Sequence, residues 1–127
     1  MEYISINEKD LIELYGGPDN EMVDKMMSLM LEQTFPKITS YLIDNKNESI
    51  ASKIDFLKNF TSSFNMVGLS AISAKIELID EKIKNNADLL LLNEAISNLR
   101  DSLALSETLI EEYREKIKNK KNNQANS

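Results

Sequence analysis

The 127-residue chain is long enough for one domain that buries about two-thirds of the surface its unfolded form exposes. It contains neither cysteine nor histidine, which excludes disulfides, thiolate or imidazole metal sites, Ser-His and Cys-His dyads, and phosphorylation on histidine. Its 15 basic and 21 acidic residues leave a net charge of -6, and the only arginines are Arg100 and Arg114, a balance that argues against nucleic acid as a partner.

The opening Met-Glu-Tyr-Ile-Ser shows no basic start before an apolar run. No stretch approaches the ~18 apolar residues of a membrane span, so a soluble, cytoplasmic chain is expected. In chain order the pattern is helical throughout. Ser5-Ile6-Asn7-Glu8 has the form of a capping box, and Leu11, Ile12, Leu14 and Tyr15 then make a short apolar helix. Gly16-Gly17-Pro18-Asp19 breaks it, with Pro18 placed to open the next helix. That helix is expected over about Asn20 to Ile43, with Val23, Met27, Met30, Ile38 and Tyr41 as its stripe and a kink at Pro36.

After the polar turn Asn45-Lys46-Asn47-Glu48, a third helix carries Ile50, Ile54, Leu57, Phe60 and Phe64 on one face and ends near Gly68. A fourth carries Ile72, Ile76, Ile79 and Ile83 and ends at Asn85-Asn86. In the fifth, Leu89, Leu92, Ile96, Leu99, Leu103, Ser106, Ile110, Tyr113 and Ile117 recur at spacings of three and four. These elements predict an all-α, antiparallel up-down four-helix bundle with a short extra N-terminal helix over residues 1–117, and a polar, flexible tail over 118–127.

Few segments invite chemistry. Asp44 to Asp55 has the length of a calcium loop, but Lys46 stands where a ligand belongs and Ser49 replaces the turn glycine. The methionines of the second helix read as core filling, and the leucine seam of the last helix as packing inside the bundle; a homo-oligomer is possible but not indicated. No metal, cofactor or catalytic dyad is expected. The segment from Leu57 to Gly68 is more informative. At 100° per residue, Asp55, Lys58 and Ser62 point away from the Leu57–Phe60–Phe64–Val67 stripe, and Thr61, Ser62 and Ser63 are small, so Lys58 is expected on an open helical face that another protein can approach closely.

Here the chain resembles the histidine phosphotransfer (HPt) domains of multi-step two-component signalling, over about residues 3 to 115. Leu11-Ile12-Glu13-Leu14-Tyr15-Gly16-Gly17-Pro18 resembles that family's opening helix and turn, and Phe35-Pro36 followed by Ile38 and Leu42 its kinked second helix. The family signature is His-x-Leu-Lys-Gly-x-Ser, then an apolar residue and Gly. An ungapped register on Gly68 puts Lys58 at the histidine, Phe60 at the Leu, Thr61 at the Lys, Ser62 at the Gly and Val67 at the apolar position. A register on Leu57-Lys58 puts Asp55 at the histidine and needs three extra residues before Gly68. The ungapped register is preferred because an insertion in a packed helix rotates everything after it.

In either register the phosphoacceptor is missing. The resemblance therefore implies a non-catalytic pseudo-HPt protein. It would bind a response-regulator receiver domain or a hybrid sensor kinase without carrying phosphate, through a face made of Lys58, Thr61, Ser62, Asn65 and Asp55. The alternative expectation is a structural or oligomerisation bundle unrelated to phosphotransfer.

Overall fold

In the computed structural model, residues 4–125 are described, and all regular structure among them is helical. The helices are α1 (Glu8–Tyr15), α2 (Glu21–Leu29), a π-helical turn (Met30–Thr34), α3 (Phe35–Asp44), α4 (Ile50–Lys58), α5 (Thr61–Met66), α6 (Ser70–Lys84) and α7 (Leu89–Ala125). The all-α class is therefore as expected, while several element boundaries differ for local reasons.

Helix α1 is capped by Asn7 rather than Ser5: the Asn7 side chain accepts the Asp10 N–H at 3.3 Å. Only Leu11 of its apolar residues is buried; Ile12 and Leu14 face outward. Gly16 ends the helix with φ +85, the left-handed conformation that glycine takes without steric penalty. Pro18 lies in the following turn, and α2 starts one step later, with the Asn20 side chain accepting the Met22 N–H at 2.8 Å.

Pro36 is accommodated through the π turn just before it. Proline has no N–H and its ring presses on the carbonyl one turn back, and here the Phe35 N–H reaches five residues back to the Met30 carbonyl. Phe35, Met27, Met30 and Ile38 are thereby delivered to the core, so Met27 and Met30 are interior filling, while Met22 is exposed and Met26 half-buried.

The 45–49 turn is closed by a residue that the sequence pattern passes over. Lys53 is buried, and its Nζ donates to the Lys46 carbonyl at 2.9 Å, while the Ser49 side chain caps α4 by accepting the Ser52 N–H. Phe56 stacks on Tyr41, ring centroids 3.7 Å apart, and meets Phe60 edge-on, which pins α4 to α3.

The expected continuous helix over 50–67 is interrupted. α4 stops at Lys58, Asn59 and Phe60 form a turn, and α5 restarts at Thr61. The break is held by side chains: Asn59 Nδ2 donates to the Phe56 carbonyl at 3.1 Å, and Thr61 Oγ1 donates to the Lys58 carbonyl at 3.1 Å. From α6, Ser73 Oγ donates to the Thr61 carbonyl at 2.8 Å. Leu57, Phe64 and Val67 remain buried on both sides of the break, and Phe60 is half-buried.

Helices α6 and α7 form an antiparallel hairpin through the 85–88 turn, with Lys75 Nζ donating to Asn98 Oδ1 across it. At 1.5 Å per residue, the 37-residue α7 is about 55 Å long and overruns the 15-residue α6. Its far half is tied to the N-terminal helices instead: the Tyr113 hydroxyl donates to Glu8 Oε1 at 2.9 Å, and Arg114 pairs with Asp24 at 2.8 Å. The seam of α7 is buried from Ile96 to Tyr113, whereas Leu89 is exposed and Leu92 and Ile117 are half-buried. Residues 118–125, expected as a tail, continue the helix. One core joins all these elements, from Ile4 and Leu11 through Met27, Ile54, Phe64 and Ile76 to Leu99 and Ile110.

Candidate functional site

Lys58 is the last residue of α4, where a cation complements the partial negative charge of the helix C-terminus. Its Nζ lies 3.1 Å from Asp80 Oδ2 on α6, and Lys84 Nζ lies 3.0 Å from the same oxygen. The Lys58 side chain keeps 41% of its surface exposed and the Asp80 side chain 16%, so the ammonium is reachable while the carboxylate is largely covered by its two lysines. Lys84 first, and then Lys58, hold the Asp80 carboxyl below the ordinary carboxylate range by hydrogen bonding to its charged form. Two ammoniums flank this one carboxylate, and the exposed carboxylate of Asp55 lies one turn back along α4.

The other expected site residues fall on both sides of the helix break. Asp55 is exposed one turn before Lys58 on α4, and Ser62 and Asn65 are exposed on α5. Thr61 is half-buried, its hydroxyl engaged by the Lys58 carbonyl and its own carbonyl by Ser73. It serves the turn first, so the continuous helical face drawn from 100° spacing is replaced by two short faces meeting at Asn59–Phe60. Among the described residues, the side chains of Asp55, Lys58, Ser62 and Asn65 are not hydrogen-bonded to one another.

In the sequence Asp80, near Glu77 and Glu81, has nothing to distinguish it from the carboxylates of an ordinary solvated helix face. The Asp80–Lys84 half of the cluster has the i,i+4 spacing that stabilises helices and could have been found. Its Lys58 half spans 22 residues and depends on how α4 packs on α6.

Chemically, this surface can offer an ammonium, hydroxyls and an amide to an acidic partner, and it holds no imidazole or thiol. Among the described residues no group of three or more Asp or Glu is arranged to hold a metal ion, and no helix is long and apolar enough to cross a membrane. Comparison with protein-family models, with curated proteins and with solved structures finds no match for this chain.

Proposed function

We propose that this chain is a non-catalytic signalling bundle of pseudo-HPt type, which docks a receiver domain or sensor-kinase module through the face around Lys58. In this reading α2 with α3, α4 with α5, α6 and α7 are the four rods of an up-down bundle and α1 is its cap. The observation that carries it is the Lys58 side chain, 41% exposed at the end of α4, with Ser62 and Asn65 exposed on α5 just after the break. A receiver presents an acidic phosphoacceptor pocket, and a lysine entering it makes a charge contact where an active relay would present its phosphorylated imidazole. Without histidine the chain does not pass the phosphoryl group on, so its effect on a bound receiver is occlusion.

The experiment is a titration against purified receiver domains, with phosphotransfer from an autophosphorylated sensor kinase followed in parallel. Wild type is expected to bind and to stay unlabelled. Lys58→Glu should weaken binding by at least ~2 kcal/mol, much of it repulsion in a partly desolvated site. Ser62→Arg should weaken it by bulk, with less dependence on salt. Unchanged affinity in both variants, or stoichiometric acid-labile phosphate on the chain, refutes the reading.

A further inference from the structure

Ser73 and Asp80 stand seven residues apart on α6, which puts them within about 20° of one another around the helix and about 10 Å apart along it. Both reach the junction of α4 with α5. Asp80 accepts from the Lys58 ammonium at 3.1 Å, and the buried Ser73 donates from its hydroxyl to the Thr61 carbonyl at 2.8 Å. Thr61 in turn donates from its own hydroxyl to the Lys58 carbonyl at 3.1 Å. One face of α6 therefore holds Lys58 twice, directly by its side chain and through Thr61 by its backbone.

These bonds lie where the helix is broken. Phe60, at φ -109 and ψ 2, is outside the helical range. In an unbroken helix the carbonyl of residue 58 would serve the N–H of residue 62, whereas here the Thr61 hydroxyl donates to it. Apolar spacing does not choose between the two forms, because Leu57, Phe60 and Phe64 suit one helix as well as two. Polar contacts make the choice, and with it they set where Ser62 and Asn65 on α5 stand relative to Lys58 on α4.

We infer that Thr61 and Ser73 are positioning residues of the Lys58 face, an inference that rests on the receiver-docking reading. Through the chain of hydrogen bonds from Ser73 to Thr61 to Lys58, α6 fixes the angle between α4 and α5, so that a receiver meets Lys58, Ser62 and Asn65 in one arrangement. Neither Ser73 nor the Thr61 hydroxyl has to touch the partner. Without the chain the junction samples other angles, and the apparent affinity falls in proportion to the population of the competent one.

The test compares wild type, Ser73→Ala, Thr61→Val and Thr61→Ser. Residual dipolar couplings of the α4 and α5 amides report the angle between the two helices. Titration with a purified receiver domain reports affinity, at a temperature below every melt so that loss of folded protein does not enter. Ser73→Ala and Thr61→Val should each change the couplings and weaken binding by about fivefold, the population change that one hydrogen bond commands. The salt dependence of binding should stay that of wild type, because no charge is altered, in contrast to Lys58→Glu. Thr61→Ser keeps the hydroxyl and should match wild type in couplings and affinity. Couplings identical to wild type in Ser73→Ala and Thr61→Val overturn the inference whatever the receiver does, and so does a Thr61→Ser chain as weak as Thr61→Val. Altered couplings with unchanged affinity overturn the positioning role and leave docking at Lys58 standing. A wild-type chain that binds no receiver refutes the docking reading itself, and the positioning role with it.

Discussion

Replacing Gly68 by alanine tests how the N-terminal segment is locked to the bundle. Gly68 sits between α5 and α6 with φ +76, where an L side chain costs about 1–2 kcal/mol. A methyl at its Cα would also lie 3.0 Å from Ile6 Cγ2, 3.1 Å from the Asn7 carbonyl oxygen and 3.3 Å from the Asn7 nitrogen. The Ile6 methyl can turn aside, but the Asn7 backbone is held by its own N–H, which donates to the Gly68 carbonyl at 2.8 Å. Stretching or losing that bond adds about 1 kcal/mol, and Ile4, buried just upstream, is disturbed with it. The sum is a destabilisation of about 2–4 kcal/mol, or roughly 10 °C in Tm for a domain of this size. Urea and thermal unfolding of wild type, Gly68→Ala, Ile6→Ala and the double variant measure it. Most of the penalty should persist in the Ile6→Ala background, because the Asn7 backbone contacts remain. A Gly68→Ala melt that overlays wild type would refute the close approach as the reason for glycine here.

Two further outcomes follow from the packing. Leu99 is fully buried in the middle of the α7 seam, so Leu99→Asp exchanges a packed side chain for an unpaired carboxylate and should destabilise by about 4 kcal/mol or more in the same unfolding assays, with coincident melts placing residue 99 on the surface. The Arg114 hydrogen bond holds the Asp24 carboxyl below its ordinary range, so the pair's contribution is fully present above the unfolded carboxylate value and is lost as pH falls through the lower folded one. Because Asp24 is mostly exposed, that contribution is at most about 1 kcal/mol; Asp24→Asn should narrow the stability gap between pH 7 and pH 2 by no more than this, and a larger change would show that the pair is stronger than its exposure allows.

Helix identity was legible because the buried positions of each long helix recur at three and four. Ile54 and Leu57, Ile72, Ile76 and Ile79, and Ile96, Leu99 and Leu103 all lie where that spacing puts them. The break at Asn59–Phe60 was not, because Leu57, Phe60 and Phe64 fit a continuous helix as well as two short ones. What decides it is Thr61 bonding to the Lys58 carbonyl and Ser73 reaching over from α6, a contact across 12 residues. Polar composition past Ile117 does not mark where α7 ends, since a long helix already nucleated and packed upstream extends at little cost through Lys, Asn and Gln. For the site, the outward direction of Asp55, Lys58 and Ser62 was readable from helical geometry, while the Asp80 partner of Lys58 required the packing of α4 on α6.

That partner bears directly on the proposed docking. In the free chain the Lys58 ammonium already has a carboxylate, so entry into an acidic receiver pocket exchanges one acid for another, and the net gain is the difference between the two contacts. Removing the internal competitor should therefore favour the external one. Asp80→Asn keeps the shape and a weak acceptor for Lys58 and Lys84 but removes the negative charge that holds them, leaving two ammoniums on this surface without their counter-ion. Receiver binding should tighten severalfold at low ionic strength, with the gain shrinking as salt screens the added positive charge. The same substitution in a Lys58→Gln background should give a much smaller gain, from Lys84 alone. The assay is a titration of the four chains against one receiver at two salt concentrations, with melts confirming equal folding. Asp80→Asn that weakens binding, or that tightens it equally with and without Lys58, would mean that the ammonium of residue 58 does not enter the pocket and serves instead to tie α4 to α6.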